Sequence, residues 1–475
     1  MSDLKVVLMY PNLRWCEWEE RTLWNLHPYN LGLLTSMVRD FCDVEIFDGT
    51  LKDTSKEEFR KIIANKKPDL VGISILTNEY SSAGLCASKI VKEASPETKV
   101  VMGGVHATSN GASVIREDSI DYVVMGEGEY VFRDLCKFLK GEGDIPKKGL
   151  AFKKDGKIID TGRADFIQDL DAIPYPSYDK MDFERYINIC QREEVGRPRE
   201  MPYANMITSR GCPHRCCFCE VAHITGRKPR LRSVENIIGE IDLLVQNYGI
   251  KSLTFHDDNM MVNKERAKKL FQTMIQKNYN FKWNNPALPL FHLDEELIGL
   301  MRESGCCHIN AAIESGVERV LKDIIHKPLD LEYGKKMLKE LRRVGIDTCA
   351  NFIVGFPGET WDEIRETLKF AENLEVDYVK IFNAVPFPNT ELYEVCKKQG
   401  YLRQGFNANK HLWTDGWIET PEFTSDDVKM LRAYEWDRIN FTDTDRRRKI
   451  AEMMGISEEK LMKIRRDTLN RAHKK

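Results

Sequence analysis

Four of the thirteen cysteines of this 475-residue chain fall within eight residues of one another, in the stretch RGCPHRCCFCE at residues 210–220. Cys212, Cys216 and Cys219 are spaced C-x3-C-x2-C. Structural zinc sites usually take four ligands as two close pairs, and no fourth Cys or His follows here at comparable spacing. Three thiolates on one short loop suit an iron–sulfur cluster with one iron left open to a substrate or cofactor. On spacing alone, a zinc site and a merely cysteine-rich loop stay open as alternatives. His214 and Cys217 lie inside the loop and are expected to point away if the other three converge.

Strands must aim such a loop. Strand-like runs in PYANMITSRG, KSLTFHDD, FKWNNPAL, CHINAAIESG, DTCANFIVGFPGET and YVKIFNAVPFP alternate with helical patterns such as SVENIIGEIDLLVQNY and LEYGKKMLKELRRVG. Six strands with crossover helices predict a full or partial (β/α) barrel, here the partial (β/α)6 form over residues 205–400, with its chemistry on the loops at the strands' carboxyl ends. The cysteine loop follows the first strand. Residues 1–145 alternate KVVLMYP, DVEIFDG, DLVGISIL, KVVMGGVHAT and IDYVVMGEGE with helical runs, which predicts a doubly wound, Rossmann-like α/β domain with a ligand at its strand tips. Several of these strands end in Gly, Ser, Thr or Asn, small enough for ligand and backbone to approach closely. Residues 146–204 read as a connector with a hairpin at Asp155–Gly156, and residues 401–475 as a helical C-terminal cap.

Composition narrows the classes. At 42% hydrophobic and 31% charged, the chain has enough sequence for more than one core. No apolar run approaches the length of a membrane span and no secretory series opens the chain, so a soluble, cytoplasmic protein is expected. Cys16, Cys42, Cys86, Cys136 and Cys190 are scattered singly, which argues against a secreted disulfide framework. The last thirty residues carry eleven Lys/Arg against four Asp/Glu, and split at Gly455-Ile456 like a helix-turn-helix. The rest of the chain is acidic and no aromatic platform accompanies the arginines, so no nucleic-acid partner is expected. Trp413 and Trp417 either shape a pocket at the barrel mouth or simply pack.

With Phe218 just before the last cysteine of a loop that follows the first barrel strand, this half of the chain resembles the radical S-adenosylmethionine (SAM) family. The resemblance implies that Cys212, Cys216 and Cys219 hold a 4Fe-4S cluster whose open iron chelates the methionine amino and carboxylate groups of SAM. It implies that Glu314 accepts from the ribose hydroxyls and that the backbone at Gly355 and Phe356 lines the adenine. Where the family typically carries Gly-Gly-Glu near the amino group, this chain has Asp258 and Asn259. Arg232, with Arg230, either steadies the carboxylate or is a solvated helix start.

The N-terminal half, with VGISIL running to Thr77, VVMGGVHAT and VVMGEGE, resembles the cobalamin-binding domain fused to one large branch of these enzymes. That resemblance implies that Ser74 and Thr77 meet the nucleotide tail and that Gly103 and Gly104 leave room for the benzimidazole, with Gly126 and Glu127 in the same site. Many such domains carry D-x-H-x-x-G after their first strand, but the corresponding loop here, YPNLRWCEWEE at residues 10–20, has no histidine. Cobalt would then lack an imidazole from that loop, or the domain has kept the fold and lost the cofactor. His106 is expected to bond or pack rather than ligate.

Together the two halves imply a cobalamin-dependent radical SAM C-methyltransferase. A 5′-deoxyadenosyl radical would take hydrogen from an unactivated carbon of a small-molecule or natural-product substrate, methylcobalamin would supply the methyl, and an electron donor such as flavodoxin or ferredoxin would reduce the cluster. An oxidative cyclase like the anaerobic porphyrin-ring cyclases is the alternative within the family. A non-catalytic cobalamin sensor or carrier is the alternative outside it, and the complete triad with Glu314 argues against that. RNA methylthio-transfer is disfavoured, since this N-terminal half offers only scattered thiols. The residues single out no catalytic side chain and no particular substrate.

Overall fold

Leu70–Ile75 is buried at every position, as a strand covered on both faces must be. It is the third strand of a seven-stranded sheet built from β1 (Leu4–Tyr10), β2 (Cys42–Asp48), β3 (Leu70–Ile75), β4 (Lys99–Gly104), β5 (Tyr122–Val124), β6 (Leu150–Lys154) and β7 (Lys157–Asp160), in the order β2-β1-β3-β4-β5-β6-β7. The first five are parallel, and β6 and β7 continue the sheet antiparallel. The expected hairpin is therefore the sheet's edge, and its turn residues Asp155 and Gly156 both take positive φ, as a tight hairpin requires. Helices Lys56–Lys66 and Ser81–Ala94 cover one face through Phe59, Ile63, Ala87 and Val91, packed on Val71, Ile73 and Met102. On a separate apolar cluster, Leu33 packs with Ile167, Leu170 and Ile173. Strand order reverses between β1 and β3, which opens a crevice at their carboxyl ends.

This computed structural model describes residues 3–15, 27–187, 195–196, 198, 200–407 and 415–473. It forms two compact units, Met1–Ile189 with His223–Thr225, and Cys190–Ala222 with Gly226–Lys475. Trp413 and residues 16–20 of the loop after β1 lie outside the described residues.

In the second unit, β8 (Tyr203–Met206) is followed by the ribbon of β9 (Ser209–Arg210) and β10 (Arg230–Leu231), then by β11 (Ser252–Phe255), β12 (Lys282–Leu288), β13 (Cys306–Glu314), β14 (Asp347–Val354) and β15 (Tyr378–Asn383). β8 and β11 to β15 form one parallel sheet in chain order, the partial six-stranded barrel. Ser233, Asn263, Asp294, Asp330 and Thr360 each start a crossover helix by accepting from the N–H three residues on, worth about 1 kcal/mol per cap. Trp283 stacks on Phe271 at 5.0 Å and Phe352 meets Phe370 at 6.2 Å, which fixes the face of each strand that packs on helices. The opposite face carries a row in register, Asn205, Thr254, Asn284 and His308, polar where a filled barrel would place branched apolar residues.

Helix Ser425–Phe441 covers the free edge of β15. The Asn440 amide accepts from Val379 N at 2.9 Å and donates to Val379 O at 2.8 Å, taking the place of a further strand. Basic residues of the tail are tied to acids of this unit, Arg447 to Glu458, Lys449 to Asp347 and Arg465 to Asp437. Trp417 packs edge-on to Phe406. Among the described residues, no helix is long and apolar enough to cross a membrane.

Candidate functional site

The cysteine loop is held at its base by two consecutive acids at the end of β11. Asp257 is buried and accepts from Thr208 N at 3.0 Å, Thr208 Oγ1 at 2.7 Å and Ser209 Oγ at 2.5 Å. Burial raises its carboxyl pKa, and these bonds and the nearby Arg266 offset part of that rise. Asp258 accepts from Gly211 N at 2.8 Å. Gly211 has φ +88°, and a Cβ there would lie 2.7 Å from Lys228 O, so only glycine permits the turn that brings Cys212 N onto Gly226 O.

Cys212, Cys216 and Cys219 are partly buried residues whose thiols are within electrostatic reach of one another. Cys217 is buried. Its N–H donates to Ile325 O, its carbonyl accepts from Leu392 N, and its thiol faces Glu391 and Cys396 as well as Cys216. Burial pushes the Cys219 thiol up to about 12 and raises Cys216, against the charge of Lys327. Both are protonated until a metal displaces the proton. Among the described residues, no three His, Cys, Asp or Glu side chains are gathered as ligands of one metal ion. Three thiols on one loop, with Cys217 bonded into the chain and turned towards Glu391 and Cys396, are a donor set that fits a cluster with one iron left open.

Asn259 is fully buried beside the first cysteine, with its Nδ2 3.7 Å from Cys212 Sγ and 3.1 Å from His292 Nε2. His292 Nε2 also lies 3.2 Å from His214 Nε2, and His214 packs edge-on to Phe291 at 4.7 Å. Burial pushes His292 down to about 4, so its imidazole is neutral near pH 7.

Glu314 ends β13 with φ +77°, a strained conformation for a residue with a side chain. Its Oε1 accepts from Lys327 Nζ at 3.0 Å in a buried ion pair, and the Lys327 charge also reaches Cys216 and His214. Phe218 meets Phe356 at 6.0 Å. Glu359 accepts from Gly355 N at 2.7 Å and Phe356 N at 3.0 Å, and burial raises it to about 7. Arg232 departs from both expectations. It is buried, pairs with the fully buried Glu240 at 2.5 Å, and donates to Asn236 Oδ1 and Ile207 O. Its guanidinium fastens a helix start to the end of β8 instead of facing solvent or a ligand carboxylate.

In the first unit, a pocket at the carboxyl ends of β1, β2 and β3 is lined by Tyr10, Asp48, Thr50, Ser74, Leu76 and Tyr80. Ser74 Oγ accepts from Asn30 Nδ2 at 2.9 Å. Just beyond β3, Thr77 Oγ1, Asn78 Nδ2 and Ser82 Oγ are buried with no partner among the described residues. Such atoms call for an external partner, and a cobalamin nucleotide tail, with its phosphate and ribose oxygens, fits them. A Cβ on Gly103 would meet only Val124 at 3.9 Å, so space exists there. At Gly104 the protein itself requires glycine, because with φ +90° a Cβ there would strike Ile75 O at 2.5 Å. Gly126 N donates to Thr108 Oγ1, and Glu127 accepts from Ile167 N. His106 Nδ1 bonds Asn78 Oδ1 at 3.0 Å, and burial holds it near 4.

Three residues of these sites carried no sequence signal strong enough to single them out. Lys327 is one lysine among many, and Asp257 precedes the two residues of HDDN that did draw attention. Glu359 was foreshadowed only by standing within GFPGET.

Residues 206–371 match the radical SAM superfamily and residues 24–136 match the B12 binding domain. The chain is 34% identical over 408 residues to a protein of Pyrococcus horikoshii named as the uncharacterized methyltransferase PH0819, spanning 85% of this chain and 86% of that one. It is 30% identical to the cytidylyl-2-hydroxyethylphosphonate methyltransferase of Streptomyces wedmorensis over 77% of this chain and 74% of that one. Its fold matches that of the radical SAM methyltransferase TsrM from Kitasatospora setae with a TM-score of 0.68 at 18% identity, covering 84% of this chain and 77% of that one. The fold and site define a radical SAM enzyme with a fused B12-binding domain. The chain belongs to that cobalamin-dependent branch of the radical SAM superfamily, whose cofactors are a 4Fe-4S cluster, SAM and cobalamin.

Proposed function

We propose that the protein is a C-methyltransferase acting on a small-molecule substrate. The observation that carries this reading is the presence, in one chain, of a three-thiol loop with Cys217 held apart and a strand-end site with unpartnered polar atoms. Two relatives at 30% identity or more bear methyltransferase names, and one is named for a nucleotide-linked phosphonate. When bound, the cluster, SAM and cobalamin supply a 5′-deoxyadenosyl radical to take hydrogen from the substrate and a methyl group to replace it.

The chain's own residues bind, orient and shield. In this reading Cys212, Cys216 and Cys219 ligate three irons, and Glu314 accepts from the ribose while Lys327, close to Cys216, meets the carboxylate in place of Arg232. The Gly355–Phe356 backbone, held by Glu359, lines the adenine with Phe218. Asp258 holds the loop base and leaves the amino group to other partners. Ser74, Thr77 and Gly103 serve the nucleotide tail. Residues 1–145 then bind the corrinoid, 205–400 house the radical site and 401–475 cap it. A cytoplasmic one-electron donor such as flavodoxin or ferredoxin reduces the cluster.

Product accounting with candidate metabolites tests the reading. Each methylated product should accompany one 5′-deoxyadenosine and one S-adenosylhomocysteine. Turnover that yields 5′-deoxyadenosine without S-adenosylhomocysteine or added methyl would overturn methyl transfer in favour of a cyclase-like reaction.

A further inference from the structure

The amide of Asn259 stands where it can act on the cluster and not only on SAM. Its side chain is completely buried, one face against Cys212 Sγ at 3.7 Å and His292 Nε2 at 3.1 Å. Orientation of a buried amide follows from its neighbours. A cluster-bound cysteine sulfur only accepts, so Nδ2 faces it, since the reverse placement would set Oδ1 against the sulfur, and the same Nδ2 meets His292 Nε2 in the tautomer that leaves that nitrogen free to accept. His292 is in turn fixed by His214 at 3.2 Å, and His214 by the edge contact with Phe291. Residues from three separate loops thus lock one N–H donor onto one cluster ligand.

We infer that Asn259 is a positioning residue that raises the reduction potential of the cluster through an N–H···S bond to Cys212. Reduction adds one electron to an already anionic group, and a donor aimed at a ligand sulfur stabilises the reduced form more than the oxidised one. This inference rests on the cluster reading above.

The test is a mediator-poised titration of anaerobically reconstituted protein, without SAM or substrate, following the reduced cluster by electron paramagnetic resonance. Asn259→Leu, which keeps the bulk and removes the donor, should retain four irons per chain. At a fixed poise it should hold about tenfold less reduced cluster, a shift of about 59 mV to more negative potential for a one-electron couple. His292→Leu, which frees the amide to rotate, should shift it in the same direction by less. An unchanged midpoint in Asn259→Leu with the cluster retained would overturn the inference and leave the cluster reading intact. Loss of iron from Asn259→Leu would overturn it too, making Asn259 a structural support of the loop. Wild-type protein that binds no cluster would overturn both readings. A measurement on the wild type needs no variant: with asparagine side chains labelled with 15N, the reduced cluster should show a 15N coupling, and its absence counts against the bond.

Discussion

Both units place their candidate sites at the carboxyl ends of parallel strands, yet they hold them in opposite ways. At the barrel site, ionisable groups are already bonded within the protein. Asp257 and Asp258 tie the cysteine loop, Glu359 ties the Gly355–Phe356 turn, and Glu314 pairs with Lys327. At the strand ends of the first unit, neutral polar atoms of Thr77, Asn78 and Ser82 are left without partners among the described residues. A buried charge must be paired to be tolerated, and pairing makes a rigid frame. A neutral orphan costs less and can wait for a large ligand to satisfy it.

The largest effect that sharpens this contrast concerns the loop itself. Cys212→Ala, Cys216→Ala and Cys219→Ala should each abolish the cluster, whereas Cys217→Ala should retain four irons per chain, read by iron analysis after anaerobic reconstitution. Equal loss in Cys217→Ala and Cys216→Ala would show that the loop does not sort its thiols as the backbone bonds of Cys217 suggest.

Next comes the buried ion pair. Lys327→Met leaves Glu314 charged and alone, and should cost about 3–5 kcal/mol by denaturant unfolding. Adding Glu314→Leu to that variant should recover most of the loss, because the pair is then replaced by apolar groups. If the double variant is no more stable than the single one, the frame does not depend on pairing.

Glu359 gives a pH-dependent test. Its carboxyl is raised to about 7 by burial, with Glu363 adding to the rise, and with bonds from Phe356 and Gly355 and the charge of Arg319 opposing it. An acid raised in the folded state keeps its proton longer than in the unfolded chain, so stability is greatest below the unfolded pKa and falls as pH rises through the folded one. Relative to Glu359→Gln, the wild type should lose about 3 kcal/mol between roughly pH 4.5 and 7. A stability difference that stays flat across that window would mean that Glu359 is ionised throughout.

The smallest effect is expected at the strand-end site. Thr77→Val removes a buried hydroxyl that has no partner among the described residues, so the corrinoid-free protein should be unchanged or stabilised by about 1 kcal/mol, read as an unchanged or slightly raised Tm. Cobalamin retention after gel filtration should fall. Destabilisation of the corrinoid-free protein would mean that the hydroxyl already has a role within the chain.

Local spacing and periodicity determined much of this protein. Three cysteines on one short loop, six strands alternating with helices, and the continuous apolar run of β3 are properties of neighbouring residues, and they sufficed for the barrel, the doubly wound sheet and the cluster loop. The partners of ionisable groups were decided only by the tertiary structure. Arg232 follows the cysteine loop as a candidate for a ligand carboxylate, but Glu240, one helical stretch away, takes its charge. Lys327 reaches Glu314 across a π-helical turn, and Asn259 reaches His292 from a different strand end. Gly104 likewise serves a clash with Ile75 that exists only once β3 and β4 are side by side. Burial, not residue type, sets the cost of leaving a polar group alone, and burial is a property of the assembled fold.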